Sequence, residues 1–167
     1  EAAGYILSYR ILDTADFGTP QHRERLFILG IRSDIYANLE KGFRFPEPSH
    51  GPDSRDSRPF NAASASLKGL GNITLAGTAI RGRWGNLLPG IPPGLNYSFY
   101  TAKMGHPRPV FAWRSKFSDF LYKADPETPA RTVKAQGGAY TGPLSWENRH
   151  FSVEEFKRLQ TFPDAYE

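Results

Sequence analysis

The sequence predicts an α+β protein. An antiparallel strand pair comes first, followed by a small mostly-β domain with few helices that ends in one capped helix. Three observations carry this. Two apolar runs, residues 5–12 (YILSYRIL) and 26–31 (LFILGI), are separated by a segment too short for a crossover helix with its two turns. Glycine and proline together supply 30 of the 167 residues, so turns and short strands should outweigh helices. A single stretch near the end carries a complete helix-start signature.

Each element follows in order. Residues 5–12 mix aromatic and aliphatic side chains, as strands do. The second run is almost continuously apolar, as in a strand buried on both faces. Two strands alone are marginal in water, so the pair reads as the end of a larger α/β domain. Residues 46–59 (PEPSHGPDSRDSRP) are rich in Pro, Ser, Gly and Asp and read as a linker or mobile loop. This divides the chain into residues 1–45 and 46–167. Residues 85–97 are broken by Pro89, Pro92 and Pro93 and cannot be one regular element. Short strands are expected at 109–113 and 130–135. Near the end, Ser152 and Glu155 form a capping box, and Phe151 and Phe156 a hydrophobic staple. Pro163 ends this helix at about residue 162.

Composition excludes several functions. There is no cysteine, hence no disulfide, no Cys-based zinc site and no thiol nucleophile in this chain. No apolar run approaches the roughly 20 residues that a membrane helix needs. The first residues carry no signal-peptide pattern, so a cytosolic home is the expectation. There is also no initiator Met, which hints at a start inside a longer protein. His22, His50, His106 and His150 are scattered, which argues against a metal site. Glu154 and Glu155 are adjacent on the helix and read as N-terminal dipole charges rather than as an acid–base pair.

Charge is uneven. Residues 81–134 hold nine basic and three acidic residues, a net +6, and the rest of the chain is net −2. Aromatic residues interleave with these cations. Charge alone leaves two readings equally open: a polyanion-binding face, or a solvated basic face over an aromatic core.

The loop 15–25 (ADFGTPQHRER) stands out. Gln21, Arg23 and Arg25 alternate, so an extended backbone would turn all three to one side. Two guanidinium groups and an amide there would make a fork for a phosphate or for the carbonyl oxygen of a base. A salt-bridged loop with Glu24 is the competing reading.

At these residues the chain resembles the cytosine-5 DNA methyltransferase family. Residues 15–32 (ADFGTPQHRERLFILGIR) are similar to the family's eighth sequence block. Residues 149–166 (RHFSVEEFKRLQTFPDAY) are similar to its ninth block. Residues 125–138 and 142–151 look like the segment leading into that block, and 45–51 (FPEPSHG) like the stretch after the eighth. Phe151, Ser152 and Glu154 depart mildly from the family pattern. The Pro-Cys dipeptide, the Phe-x-Gly-x-Gly cofactor loop, the Glu-Asn-Val block and the tenth block are absent from the sequence.

The resemblance implies a fold and a function. Residues 1–45 would be the last strands of a Rossmann-like S-adenosylmethionine-dependent catalytic domain. Residues 46–167 would be the small target recognition domain, with the variable region at about 67–122. The activity implied is DNA (cytosine-5-)-methyltransferase. A target cytosine is flipped out, a Cys thiolate adds to carbon 6, and carbon 5 takes the methyl group. Such enzymes need a thiol, so this chain alone is expected to be inactive.

Site roles carried over from the family fall on these residues. Arg25 would contact the flipped base at its carbonyl oxygen, Arg23 the adjoining phosphate or the site wall, and Gln21 would hold the loop. Arg81, Arg83, Asn96, Lys103, Arg108 and Gln136 are candidate DNA contacts. Arg149, Ser152, Glu155, Arg158 and Gln160 would be structural. S-adenosylmethionine would be held outside this chain, and no metal is expected. Implied partners are double-stranded DNA and the endonuclease of a restriction–modification system, in a bacterial cytoplasm at the nucleoid. A non-enzymatic DNA-binding module and a transfer-RNA cytosine-5 methyltransferase are the alternatives.

Overall fold

A computed structural model describes residues 3–39, 42–71, 73–134 and 137–166. Strands β1 (Tyr5–Asp13) and β2 (Glu24–Arg32) pair antiparallel, in a register running from Tyr5 opposite Arg32 to Asp13 opposite Glu24. They form a two-stranded sheet, as the short separation of the two apolar runs requires. The alternation of side chains puts Tyr9 and Ile28 opposite one another on one face, and they are 77% and 65% exposed. On the other face Phe27 is half exposed. A one-turn helix, α1 (Ser33–Tyr36), follows β2.

The chain beyond the hairpin is built differently from the expectation. Among the described residues of 46–166, backbone pairing between extended segments is limited to single bridges, so the mostly-β description is corrected. Residues 109–113 contribute one bridge, Phe111 to Thr101. In the expected strand 130–135, Ala130 bridges Gln21, and Ala135 lies outside the described residues. The physical reason is proline. Thirteen of the fourteen prolines follow residue 45, and each removes a ladder donor. The backbone instead turns through short 3-10 segments at Gly85–Gly90, Tyr97–Tyr100 and Ala102–Met104.

Two apolar clusters hold this part together. One gathers Leu88, Ile91, Tyr97, Leu121 and Leu144, with Trp84, Phe111, Phe120 and Tyr140 packed against it. The Tyr97 ring meets those of Phe111 and Phe120 at 5.7 and 5.8 Å. Its hydroxyl both donates to the Arg114 carbonyl and accepts from the Arg114 N–H, each at 2.8 Å. Most aromatics of the basic region are therefore spent on packing. The second cluster gathers Ala63, Ala124, Ala130, Phe151 and Leu159, and joins the turn α2 (Ala63–Ser66) to the last helix, α3 (Val153–Leu159).

Helix α3 starts as the sequence dictates. The Ser152 hydroxyl accepts from the Glu155 N–H at 3.2 Å, and Glu155 Oε2 accepts from the Ser152 N–H at 2.7 Å. The Phe151 and Phe156 rings lie 5.5 Å apart, which is the staple. The end differs. The helix stops at Leu159 rather than near residue 162, because Thr161 turns left-handed at φ 62. The Phe162 N–H then reaches the Lys157 carbonyl at 2.9 Å, and the Thr161 N–H the Arg158 carbonyl at 3.0 Å. This is a Schellman closure with threonine where glycine is usual. It ends the helix two residues before Pro163 has any effect.

The segment 46–59, expected as a linker or mobile loop, is tied down. The N–H groups of Ser49 and His50 both donate to the Asp16 carbonyl, at 2.8 and 2.9 Å. Ser54 is buried, and its hydroxyl donates to the Gly51 carbonyl at 2.8 Å. Small polar residues here satisfy backbone groups rather than leaving them to solvent.

Candidate active-site turn

The loop between β1 and β2 is organised by Asp13, the last residue of β1. Its Oδ1 accepts from the N–H groups of Ala15 (3.3 Å) and Arg23 (2.7 Å), and its Oδ2 lies 2.7 Å from His22 Nδ1. It caps the 3-10 turn Thr14–Phe17, which Gly18 closes at φ 87. That glycine also approaches the His50 ring so closely that a Cβ would sit 2.8 Å from it. Burial raises the Asp13 pKa, but the hydrogen bonds from His22, Arg23 and Ala15 prevail and hold it below the usual carboxylate range. The neighbouring Asp16 is pushed upward, by burial first and then by the charges of Asp13 and Asp53.

Residues 20–22 are then clamped to the segment 130–132. The Ala130 N–H donates to the Pro20 carbonyl (2.9 Å) and the His22 N–H to the Ala130 carbonyl (2.8 Å). Thr132 Oγ1 donates to the His22 carbonyl at 2.7 Å. Thr14 Oγ1 donates to the Gln21 carbonyl, also at 2.7 Å. Gln21 is 1% exposed, and its Nε2 has no hydrogen-bond partner among the described residues.

Arg23 and Arg25 emerge from this clamp. The β2 pleat sends Arg23, Arg25 and Phe27 to one side, where they line a cleft of about 280 Å³ with Leu12, Phe17 and Pro46. Neither guanidinium is in an ion pair among the described residues, so the salt-bridged alternative with Glu24 does not hold. The Arg25 side chain does donate to the Glu24 carbonyl at 2.6 Å. Gln21 does not line this cleft, so the three alternating residues do not converge as a fork; the two arginines share the cleft wall. Arg25 also borders a second cleft of about 520 Å³, whose wall includes His22, Ser118, Arg131 and Lys134.

The candidate DNA contacts separate. Arg81 and Arg108 are exposed. The Arg83 guanidinium lies over the Trp84 ring at 4.4 Å, and the Lys103 ammonium over Trp113 at 3.5 Å. Asn96 is engaged at both ends of its amide. It accepts from the Ser98 N–H at 2.9 Å and donates to the Ser118 carbonyl at 2.7 Å, so as it stands it is a turn cap rather than a base reader. Gln136 lies outside the described residues. Lys123, counted in the +6 region, is 4% exposed, and burial lowers its pKa. Lys134 pairs with Asp119.

Of the five residues read as structural, Arg149, Ser152 and Glu155 are joined at the start of α3, and Arg158 and Gln160 make separate contacts near its end. Arg149 grips Glu155 through two nitrogens, at 2.7 and 2.8 Å, and also reaches Glu147. Burial opposes ionisation of Glu155, but Arg149 and the Ser152 N–H hold its carboxyl low. The hydrogen bonds to Glu155 and then to Glu147 drive the Arg149 pKa upward against the cost of burial. Arg158 pairs with Asp164 and donates to the carbonyls of Ser66 and Lys68, each at 3.1 Å. Gln160 caps the helix end and its amide donates to the Phe156 carbonyl at 3.2 Å.

Sequence reasoning missed Asp13, Thr14 and Thr132, and gave His22 no role in the turn. A signal was available for Asp13, because an Asp at a strand end just before a turn is disposed to accept backbone N–H groups ahead of it. Thr132 had none, being 110 residues from its partner. Among the described residues, no cluster of His, Cys, Asp or Glu could hold a metal ion. No helix among them is long and apolar enough to cross a membrane.

The whole chain, residues 1–167, matches the family model described as C-5 cytosine-specific DNA methylase. This chain belongs to that family. Similar proteins bear the name type II methyltransferase. M.SacI of Streptomyces achromogenes is 38% identical, over 98% of this chain and 45% of its own length. M.NgoFVII of Neisseria gonorrhoeae is 30% identical, over 100% of this chain and 43% of its own. M.BspRI of Lysinibacillus sphaericus is 33% identical, over 99% and 35%. This chain thus spans less than half the length of these relatives. The matched residues 1–167 include the arginine turn and α3.

Proposed function

We propose that this chain is the recognition part and arginine turn of a DNA (cytosine-5-)-methyltransferase from a restriction–modification system. Residues 1–45 would complete the sheet of a Rossmann-like catalytic domain, whose other strands pair with a free edge and whose helices cover the exposed faces of β1 and β2. Residues 46–167 would be the target recognition domain. The reading rests on one observation above the others: Arg23 and Arg25 share a cleft, free of ion pairs, on a turn that Asp13 holds rigid.

Two guanidiniums beside Phe27 and Leu12 suit a planar base that carries an acceptor oxygen and is joined to a phosphate. In this proposal Arg25 donates to the carbonyl oxygen of the extrahelical cytosine and stabilises the charge that builds there. Arg23 takes the adjoining phosphate. Asp13, His22 and the buried Gln21 fix the turn so that neither guanidinium must reorganise as charge develops. S-adenosylmethionine, the methyl donor implied for the family, does not fit this cleft, because its sulfonium cation would face two like charges. It and the thiol nucleophile belong to other polypeptide, so the chain by itself is inactive. Duplex DNA is the proposed partner, with a cognate endonuclease acting on the same site, in the cytoplasm.

Kinetics with labelled methyl donor and cognate duplex test this. Arg25→Ala in the complete enzyme should lower kcat by about 10²–10³, the range typical of a lost donor to developing charge, with a much smaller loss of DNA affinity. Equal losses in the two would leave Arg25 a merely positional group and defeat the proposal.

A further inference from the structure

The arginine turn carries an imidazole that its own hydrogen bonds leave half used. The His22 side chain is 42% exposed and lines the 520 Å³ cleft beside Arg25. Its ring is fixed on two sides. Nδ1 lies 2.7 Å from Asp13 Oδ2, and the Phe60 ring meets it edge-on at 5.5 Å. The His22 backbone is bonded to Ala130 and Thr132, and Asp13 is itself held by the N–H groups of Ala15 and Arg23. Nε2 has no hydrogen-bond partner among the described residues. An ionised carboxylate only accepts, so Nδ1 carries a proton. Nε2 is then a lone pair in the neutral ring and a second donor in the charged one.

The charges around the ring are mixed. Asp13 ends β1, Asp16 lies in the 3-10 turn, and Glu24 and Arg25 follow in β2. Across the cleft stand Arg131 and the Lys134–Asp119 pair, while the segment that brings Phe60 meets the ring with an uncharged face. Arg25 and Arg131 are in no ion pair among the described residues, so the wall suits an anion. Of the residue types lining it, only imidazole changes charge between about pH 5 and 8. An anionic oxygen meets repulsion from the Nε2 lone pair of a neutral ring and a hydrogen bond from a charged one. We propose that His22 is a proton-gated phosphate ligand: a backbone phosphate of the bound duplex accepts a hydrogen bond from Nε2 once the ring has taken up a proton from solvent. This rests on the DNA reading above and adds a pH dependence that the permanent cations of the cleft do not supply. The sign is fixed. Affinity is highest at low pH and falls as the pH rises through the neutral range.

Fluorescence anisotropy of a labelled cognate duplex with the complete enzyme, without methyl donor and at constant ionic strength, tests this between about pH 5.5 and 8.5. Affinity should fall by about tenfold across that range, which corresponds to a shift of one pH unit in the ring on binding. His22→Asn keeps a donor for Asp13 but loses the titrating ring; its affinity should stay near the parent's high-pH value throughout, with the fall abolished. His22→Lys carries a permanent charge and should stay near the parent's low-pH value throughout. Calorimetric titration near neutral pH in two buffers of different ionisation enthalpy should show proton uptake by the parent and a smaller uptake by His22→Asn. A parent affinity that does not change with pH overturns the proposal, and so does a fall that persists unchanged in His22→Asn. Either result leaves the DNA reading standing, whereas a parent that binds no duplex at any pH defeats that reading itself.

Discussion

Replacing Asp13 with alanine tests how the turn is held. The Asp13 side chain is 18% exposed and accepts three hydrogen bonds. Alanine removes a cap, at a cost of about 1 kcal/mol. It also leaves the Arg23 N–H without its 2.7 Å acceptor in a half-buried position, which costs about 1–3 kcal/mol. The bond to the partly exposed His22 adds less. The expected destabilisation is about 3 kcal/mol. For a protein of this size that lowers Tm by about 6–12 °C, measured by thermal unfolding followed by circular dichroism. Asp13→Asn keeps an oxygen for both backbone donors and should recover most of the loss. The pH dependence has a definite sign. The folded carboxyl titrates below its ordinary value, so its stabilisation is complete above the unfolded pKa and disappears as the pH falls through the folded one. If Asp13→Ala unfolds at the same temperature as the parent, or if alanine and asparagine behave alike, Asp13 does not organise the turn.

Glu155→Gln should cost about 3 kcal/mol at neutral pH, because Arg149 loses the charge of its best-buried partner, and the difference from the parent should shrink as acid protonates Glu155; urea unfolding between pH 7 and pH 3 measures both. Thr161→Gly should stabilise the protein by about 1 kcal/mol, since a β-branched residue is replaced at φ 62 by one that adopts the left-handed region freely, and a lower urea midpoint would refute this. Asn96→Ala should lower stability by about 1 kcal/mol and leave relative affinities for different duplex sequences unchanged, as expected of a cap; altered sequence preference would show that it reads a base.

What was legible in the sequence was local. The capping box and staple need only residues 151–156, and a strand pair with a short connection has little choice but to be antiparallel. The alternation of Gln21, Arg23 and Arg25 puts the two arginines on one cleft, but Gln21 is buried away from it. What was hidden depends on partners far along the chain. Residues 46–59 read as a linker because Pro, Ser and Gly are common in linkers, yet the N–H groups of Ser49 and His50 donate to the Asp16 carbonyl once the chain folds back. The helix end was misplaced because Pro163 is a visible stop signal, while a left-handed Thr161 is not. Asn96 looked like a base reader because its amide has the right groups; only the fold shows that both are taken.

The basic region makes the same point about charge. Read as a sum, residues 81–134 offer nine cations to a polyanion. In the fold, Lys123 is buried and Lys134 is paired with a carboxylate. The Arg131 guanidinium lies 3.8 Å from the centre of the Tyr122 ring, whose hydroxyl burial drives upward in pKa. Seven of the nine, Arg81, Arg83, Lys103, Arg108, Arg114, Lys116 and Arg131, are exposed and in no ion pair among the described residues. Counterion release depends on the charges that reach phosphates, not on the formal total. The salt slope of DNA binding should therefore follow those seven cations and the arginines of the turn, and should be insensitive to Lys123. A Lys123→Met variant that lowered the slope by one would place that ammonium on a phosphate and contradict the buried position that the fold assigns to it.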